Sequence, residues 1–319
     1  MAAAGGAGDL VLAADVGATK TLVTVRAPGA PHDPAAPAMR YATTRDPVAA
    51  VTSIVDAAVA LAGRAGGRVV AGAVVAPGPL DAATGRIVAG ANLGWYDVPF
   101  TGEIAARLGV PVALEDDATA AALGEALAGA GRGADPFVYL TVSSGIGAGV
   151  VVGGRSLRGA HGIAGEVGHL VVDPAGPRCA CGRRGDVEAL AGGAALARRA
   201  RAAWPAARLA DGSPAPRDAA ALFRLARAGD PAAQAIADAA ADALAHAIGA
   251  LAAVVDPACI AVGGSIGLAQ RGLVRRAVAI ARRRTLPATG ESLRVVPAAL
   301  GDRSCLEGAA ILAARLATG

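Results

Sequence analysis

"LVLAADVGATKTLVTVR", residues 10–26, reads as two short β-rich runs folded on a tight turn. The first run is apolar and ends on Asp15. The turn carries Gly17, Thr19 and Lys20, and the second run is rich in β-formers. "FVYLTVSSGIGAGVVVGG", residues 137–154, repeats the plan as strand, glycine- and hydroxyl-rich loop, and strand. Two strand–strand–strand–helix beginnings, near residues 10 and 137, point to two similar halves. Residues 46–63 read as a helix, with an Asp-Pro start and a Gly stop. "RVVAGAVVAPG" and "PVALED" read as strands, "DATAAALGEALAG" as a helix and "CIAVGG" as a late buried strand. Three helical stretches cover about 188–254. Strands and helices mixed along all 319 residues give an α/β class. The expected division is an N-terminal α/β lobe, 1–117, completed by a C-terminal helix at 303–319, and a C-terminal α/β lobe, 118–302.

Composition narrows the partners. The chain is 54% hydrophobic but only 3% aromatic, so its core must be close-packed Ala, Val, Leu and Ile. The net charge of +4 comes from scattered Arg with no aromatic interleaving, which argues against nucleic acid. The start lacks the basic and apolar regions of a signal peptide. The most apolar stretch, 232–255, carries Asp238, Asp242 and His246, which argues against a membrane span. Four cysteines make no disulfide scaffold, and the chain reads as cytoplasmic. Lys20 is the only lysine among 30 basic residues, and Asn92 the only asparagine. Against so strong a bias, each is a candidate for a role its substitute cannot fill.

Four segments carry candidate chemistry. In "ADVGATKT", 14–21, Gly17 allows close backbone approach to an anion, and Thr19 and Lys20 can donate to phosphate. Asp15 can hold Mg²⁺. The spacing is not that of a P-loop, and an ordinary hairpin turn is the plain alternative. In "TVSSGIGAGV", 141–150, Ser144, Gly145 and Gly147 can present successive N–H groups to phosphate, or can simply form a flexible hairpin. "LEDDATAAALGE", 114–125, sets Asp116 and Asp117 where a strand gives way to a helix. One carboxylate suffices as N-cap, and the other is a candidate general base. In 165–188, His169 precedes Cys179 and Cys181, three borderline or soft donors suited to Zn²⁺, and Asp186 could be a fourth ligand. A glycine-turn loop that happens to contain two thiols is the alternative. Cys259 and Cys305 lie in apolar runs and read as buried and inert.

Taken together and in order, these segments resemble the ROK (repressor, open reading frame, kinase) family of sugar kinases and sugar-responsive regulators. "APGPLDAATGRIVAGANLGWYDVPF", 76–100, is similar to the family's sugar-side segment. "GIAGEVGH" followed by "CACGRRGDVE" resembles its zinc and sugar signature, and "DPACIAVGGSI" its adenosine-side segment. The resemblance implies a two-lobed actin-like, hexokinase-type (ribonuclease H-like) ATPase fold with an interdomain cleft, and a zinc-type loop at 169–188.

It also implies roles. Asp117 would be the base that accepts the sugar hydroxyl proton. Gly78, Asn92, Asp116, Glu166, His169 and Glu188 would bind the sugar. Asp15, Gly17, Thr19 and Lys20 would serve Mg²⁺ and phosphates. Ser144, Gly145, Gly147, Gly263 and Gly264 would line the ATP site. His169, Cys179, Cys181 and Asp186 would hold structural Zn²⁺. Two positions depart from the pattern: Asp116 stands where the family usually has Asn, and Asp186 at the family's third Cys. The implied activity is ATP-dependent phosphorylation of a hexose, the 6-OH of glucose first, with N-acetylglucosamine or N-acylmannosamine as alternatives. A homodimer is expected on the same ground. A DNA-binding regulator is disfavoured because the phosphate motif begins so near the start. A non-catalytic sugar-binding relative is the other alternative.

Overall fold

The computed structural model describes residues 8–30, 32, 33, 36–90, 92–209 and 211–319. β1 (Asp9–Val16) and β2 (Lys20–Arg26) form the hairpin read from the sequence, closing with Val16 opposite Thr21. β3 (Ala38–Ala42) adds antiparallel to β2. On the other side, β4 (Arg68–Val75) runs parallel to β1, and β8 (Val112–Glu115) parallel to β4. The order is β3-β2-β1-β4-β8.

Side chains alternate across β1 and so build two cores. Leu12, Ala14 and Val16 pack with Ile54, Ala58 and Leu61 of α1 (Pro47–Arg64). Val11 and Ala13 join Leu306, Ala309 and Ala310 of α11 (Ser304–Thr318) and Ala120 of α3 (Asp117–Ala128). The Asp46 side chain caps α1 by accepting the Val48 N–H at 2.9 Å. Between β4 and β8 lie a small sheet, β5 (Leu80–Asp81), β6 (Arg86–Gly90) and β7 (Trp95–Val98), and a helix, α2 (Phe100–Leu108). The sequence reading did not resolve these elements, whose strands are only two to five residues long. Trp95 anchors them: it is buried, stacks at 5.0 Å on Phe100, and donates its indole N–H to the Arg45 carbonyl.

The first compact unit runs through Arg132, takes in residues 154–164 with the short strand β11 (Arg155–Ser156), and includes Asp302–Gly319. The division thus falls after Arg132 and not after Asp117. α3 is the reason: it packs on α11 so closely that the two helices need glycine at their contacts. A Cβ on Gly308 would collide with the Ala120 carbonyl, and one on Gly124 with the Ser304 carbonyl. Ser304 Oγ also donates to the buried Glu125 carboxylate at 2.8 Å.

The second unit comprises residues 133–153 and 165–301. Its strands β9 (Phe137–Val142), β10 (Ile146–Val152), β12 (Cys259–Gly263) and β13 (Val295–Pro297) lie in the order β10-β9-β12-β13. β9 and β10 are antiparallel, while β12 is parallel to both β9 and β13. The same senses relate β2, β1, β4 and β8, so both units share one strand topology. Among the described residues, seven α-helices pack here: α4 (Val187–Ala191), α5 (Gly193–Ala203), α6 (Ala219–Arg227), α7 (Pro231–Val255), α8 (Ser265–Ala269), α9 (Arg271–Arg284) and α10 (Pro287–Ser292). α7 buries an alanine-rich stripe with Leu244, Ile248 and Leu251. Its Asp238 and Asp242 pair with Arg276 and Arg284 of α9.

Candidate active site

In the first unit, the carboxyl ends of β1 and β8 carry the acidic residues. Asp15 lies one residue before the end of β1, and the turn to β2 closes with the Gly17 N–H donating to the Lys20 carbonyl at 2.9 Å. Thr19 is exposed on that turn. Lys20 Nζ donates to Asp302 Oδ2 at 3.1 Å, and Arg40 donates to the same oxygen at 2.6 Å. Burial, then the neighbouring Asp117 carboxylate, push the Asp15 carboxyl up to about 7, while Lys20 opposes the shift. Asp15, Asp117, Lys20 and Asp302 therefore form one electrostatic group.

Asp116 and Asp117 divide the work at the start of α3. Asp116 is the N-cap, its Oδ1 accepting the Thr119 N–H at 2.9 Å. Asp117 is the first helical residue and its side chain is exposed. Before them, Glu115 is 3% exposed and paired with Arg158 at 2.5 Å. Burial pushes its carboxyl up to about 7 in spite of that partner. Gly78 follows β4, and Asn92 is exposed in the turn between β6 and β7. Both lie on separate loops of the same unit. Sequence reasoning missed Arg40, Glu115, Arg158 and Asp302: Lys20 and Asp302 are 282 residues apart, and no local pattern links them. It placed Cys305 in an apolar run as buried and inert, without its polar neighbours. Its thiol donates to the Asp117 carbonyl at 3.4 Å, and burial with Asp15 and Asp117 nearby drives its pKa well upward.

In the second unit, β9 and β10 are joined through Ser143, Ser144 and Gly145. Ser144 is exposed, and Gly147 lies on β10. Gly263 ends β12, and Gly264 follows with φ +79°, a conformation that favours glycine. A cavity of about 400 Å³ is lined by Ser143, Ser144, Asp218, Ser265, Ile266 and Gln270 among others.

His169, Cys179, Cys181 and Asp186 do come together, with ligand atoms all within 4.8 Å of one another. His169 Nδ1 lies 3.1 Å from Asp186 Oδ2 and 3.9 Å from Cys179 Sγ, and Cys181 Sγ lies 3.3 Å from Asp186 Oδ2. Zinc–ligand distances of about 2.0–2.3 Å imply tetrahedral edges of roughly 3.3–3.8 Å. The separations here, from 3.1 Å to no more than 4.8 Å, bracket those edges, so the donor set suits zinc in chemistry and lies near the spacing it needs. Asp186 is fully buried and uses its other oxygen to cap α4, accepting the Ala189 N–H at 2.7 Å. Burial disfavours its charge, but hydrogen bonds from Cys179, Ala189, His169 and Cys181 outweigh this and hold its pKa below the ordinary value. The Cys179 thiol is pushed up to about 12, by burial first and by Asp186 second, so a bound cation would have to displace its proton. His169 Nε2 points to Glu166 at 3.8 Å, so the ring offers one nitrogen to the cluster and the other to a second partner.

Two units of one strand topology, one carrying clustered carboxylates at strand ends and the other a glycine–serine loop, define the actin-like, hexokinase-type ATPase fold. Within that class the chain belongs to the ROK family, whose pattern matches residues 11–316. The ROK hexokinase of Thermus thermophilus superposes with a TM-score of 0.84 at 36% identity, covering 95% of this chain and 97% of that one. A ROK family glucokinase from Streptomyces griseus, solved with glucose and AMPPNP, gives 0.74 at 33% identity over 96% of this chain and 99% of that one. The glucokinase of Thermotoga maritima is 49% identical over 123 residues, 38% of this chain. That match spans 39% of the relative's own length, about two fifths.

Proposed function

We propose that the protein is an ATP-dependent sugar kinase that phosphorylates a hexose hydroxyl, most directly the 6-OH of glucose. The observation that carries this reading is the split at the start of α3. Asp116 takes the cap, and Asp117 presents a carboxylate beside Asp15 and Lys20. In this reading Asp117 accepts the proton of the attacking hydroxyl, while Gly78, Asn92, Glu166, His169 and Glu188 orient the sugar ring. Ser144, Gly145, Gly147, Gly263 and Gly264 hold ATP. Lys20, a compact point charge, offsets negative charge on the transferred phosphoryl. The likeness to the Streptomyces griseus enzyme with its glucose and AMPPNP supports both substrates.

The Asp15 group is rich in carboxylate and has few cations, which suits Mg²⁺; Asp15 would hold it, and the ion would neutralise phosphate charge. Zinc on His169, Cys179, Cys181 and Asp186 would stiffen the loop that carries His169 toward Glu188. A cytoplasmic location, supported by four free thiols, and a homodimer belong to the same proposal.

Asp117→Asn tests it. Phosphorylation across a hexose panel, with and without N-acetyl groups, should fall by about 10²–10⁴-fold while sugar binding survives. Near-normal turnover would remove Asp117 from its role.

A further inference from the structure

Glu188 stands between the cysteine–histidine cluster and the glycine–serine loop. It is the second residue of α4, two positions after the Asp186 cap. Its Oε2 accepts the Ile146 N–H at 2.9 Å, and its Oε1 lies 3.9 Å from Cys179 Sγ. The corner between α4 and α5 grips the same loop from its other side. Gly193 N–H donates to the Ser143 carbonyl at 2.8 Å, and Ala194 N–H to the Ser144 carbonyl at 3.0 Å. Within the loop, Ser143 N–H donates to the Gly145 carbonyl at 2.9 Å. A Cβ on Gly145 would lie 2.5 Å from Glu188 Oε2, so glycine is required for the carboxylate to reach in.

We infer that Glu188 is a positioning residue for the nucleotide loop, in addition to any contact with sugar. The inference rests on the kinase reading for the identity of the nucleotide. A carboxylate beside a loop that receives phosphate would by charge alone repel it. Its geometry gives it a different task. By accepting the Ile146 N–H, it fixes the start of β10 and with it the backbone orientation of Ser144 and Gly145. The acceptor atom matters here, and the negative charge does not. The reach matters too, because Asp is one methylene shorter and withdraws the oxygen from Ile146.

The test uses sugar-free protein and AMPPNP with Mg²⁺, followed by calorimetry, so that sugar contacts do not contribute. Glu188→Ala and Glu188→Asp should each weaken AMPPNP by about tenfold, the loss of one hydrogen bond to a charged acceptor. Glu188→Gln keeps an acceptor oxygen without the charge and should bind as wild type does or more tightly. Hydrogen exchange at the Ile146 amide should quicken in the Ala and Asp proteins and stay slow in the Gln protein. Unchanged AMPPNP affinity in the Asp protein, or a Gln protein as weak as Ala, would overturn the inference. If Glu188→Ala does not fold, Glu188→Asp decides the matter. If wild type itself binds no AMPPNP, the kinase reading fails, and exchange at Ile146 still decides whether Glu188 holds the loop.

Discussion

Arg158 donates to the buried Glu115 carboxylate at 2.5 Å, immediately ahead of the Asp116–Asp117 pair. The other Glu115 oxygen accepts the Asp116 N–H at 3.2 Å. The pair thus fastens the end of β8 at the point where the chain turns into α3. Glu115 loses its proton near pH 7 when folded, against an ordinary 4.5. Between those values the folded chain binds more protons than the unfolded one. Stability therefore falls as pH rises through about 4.5 to 7, with a slope of up to about 1.4 kcal/mol per pH unit. Glu115→Gln should remove Glu115's share of this slope and leave the share of Asp15, whose carboxyl is likewise pushed up to about 7. Urea unfolding of both proteins at pH 5 and 7.5 checks it: the stability of the Gln protein relative to wild type should rise by about 2–3 kcal/mol between the two. A pH-independent difference would refute the assignment.

Removing Arg158 should act in the same pH window. Arg158→Met leaves Glu115 without its cation, which costs about 1–3 kcal/mol when the carboxylate is charged. The side chain of Arg158 is 44% exposed, so water screens part of that loss. The deficit should be larger at pH 8 than at pH 5.5, where Glu115 keeps its proton. Denaturant midpoints at the two values decide.

The N-cap at Asp116 sets a separable expectation. Asp116→Ala should cost about 1 kcal/mol, whereas Asp116→Asn, an equally good cap, should change stability by only a few tenths. Thermal unfolding distinguishes them, and equal losses would mean that the 2.9 Å bond to Thr119 contributes little.

Asp186 carries two roles on two oxygens, which makes its variants informative. Asp186→Asn retains an acceptor for the Ala189 N–H but removes the anionic donor facing His169 and Cys181. Zinc content measured after chelator-free purification should be about one per chain in wild type and clearly lower in the variant. Less than about 0.2 zinc per wild-type chain would dismiss zinc from the cluster.

The α3–α11 contact permits no side chain at Gly308, where a Cβ would meet the Ala120 carbonyl. Gly308→Ala should destabilise by about 1–3 kcal/mol through overpacking, although alanine is the better helix former. A stabilised Gly308→Ala protein would show that the helices can part without penalty.

The hairpin at 10–26, its counterpart at 137–154 and the long helices were legible because their signals are local: strand runs, a Gly turn, Asp caps. The family signature was legible because its motifs are short and ordered along the chain. The small sheet at 80–98 was not, since its strands are too short for any periodicity and depend on Trp95 burying itself against Phe100. Sequence alone could say that one of Asp116 and Asp117 would cap α3, but not which. Backbone geometry chose Asp116, because only the residue just before the helix can turn its oxygen onto the Thr119 N–H. Sequence likewise assembled His169, Cys179, Cys181 and Asp186 as a possible set, spread over eighteen residues. Only the tertiary structure decided that they meet. It also brought Asp302 to Lys20, Arg158 to Glu115 and Glu188 to Ile146, pairings 42 to 282 residues apart that chain packing creates and no local pattern encodes.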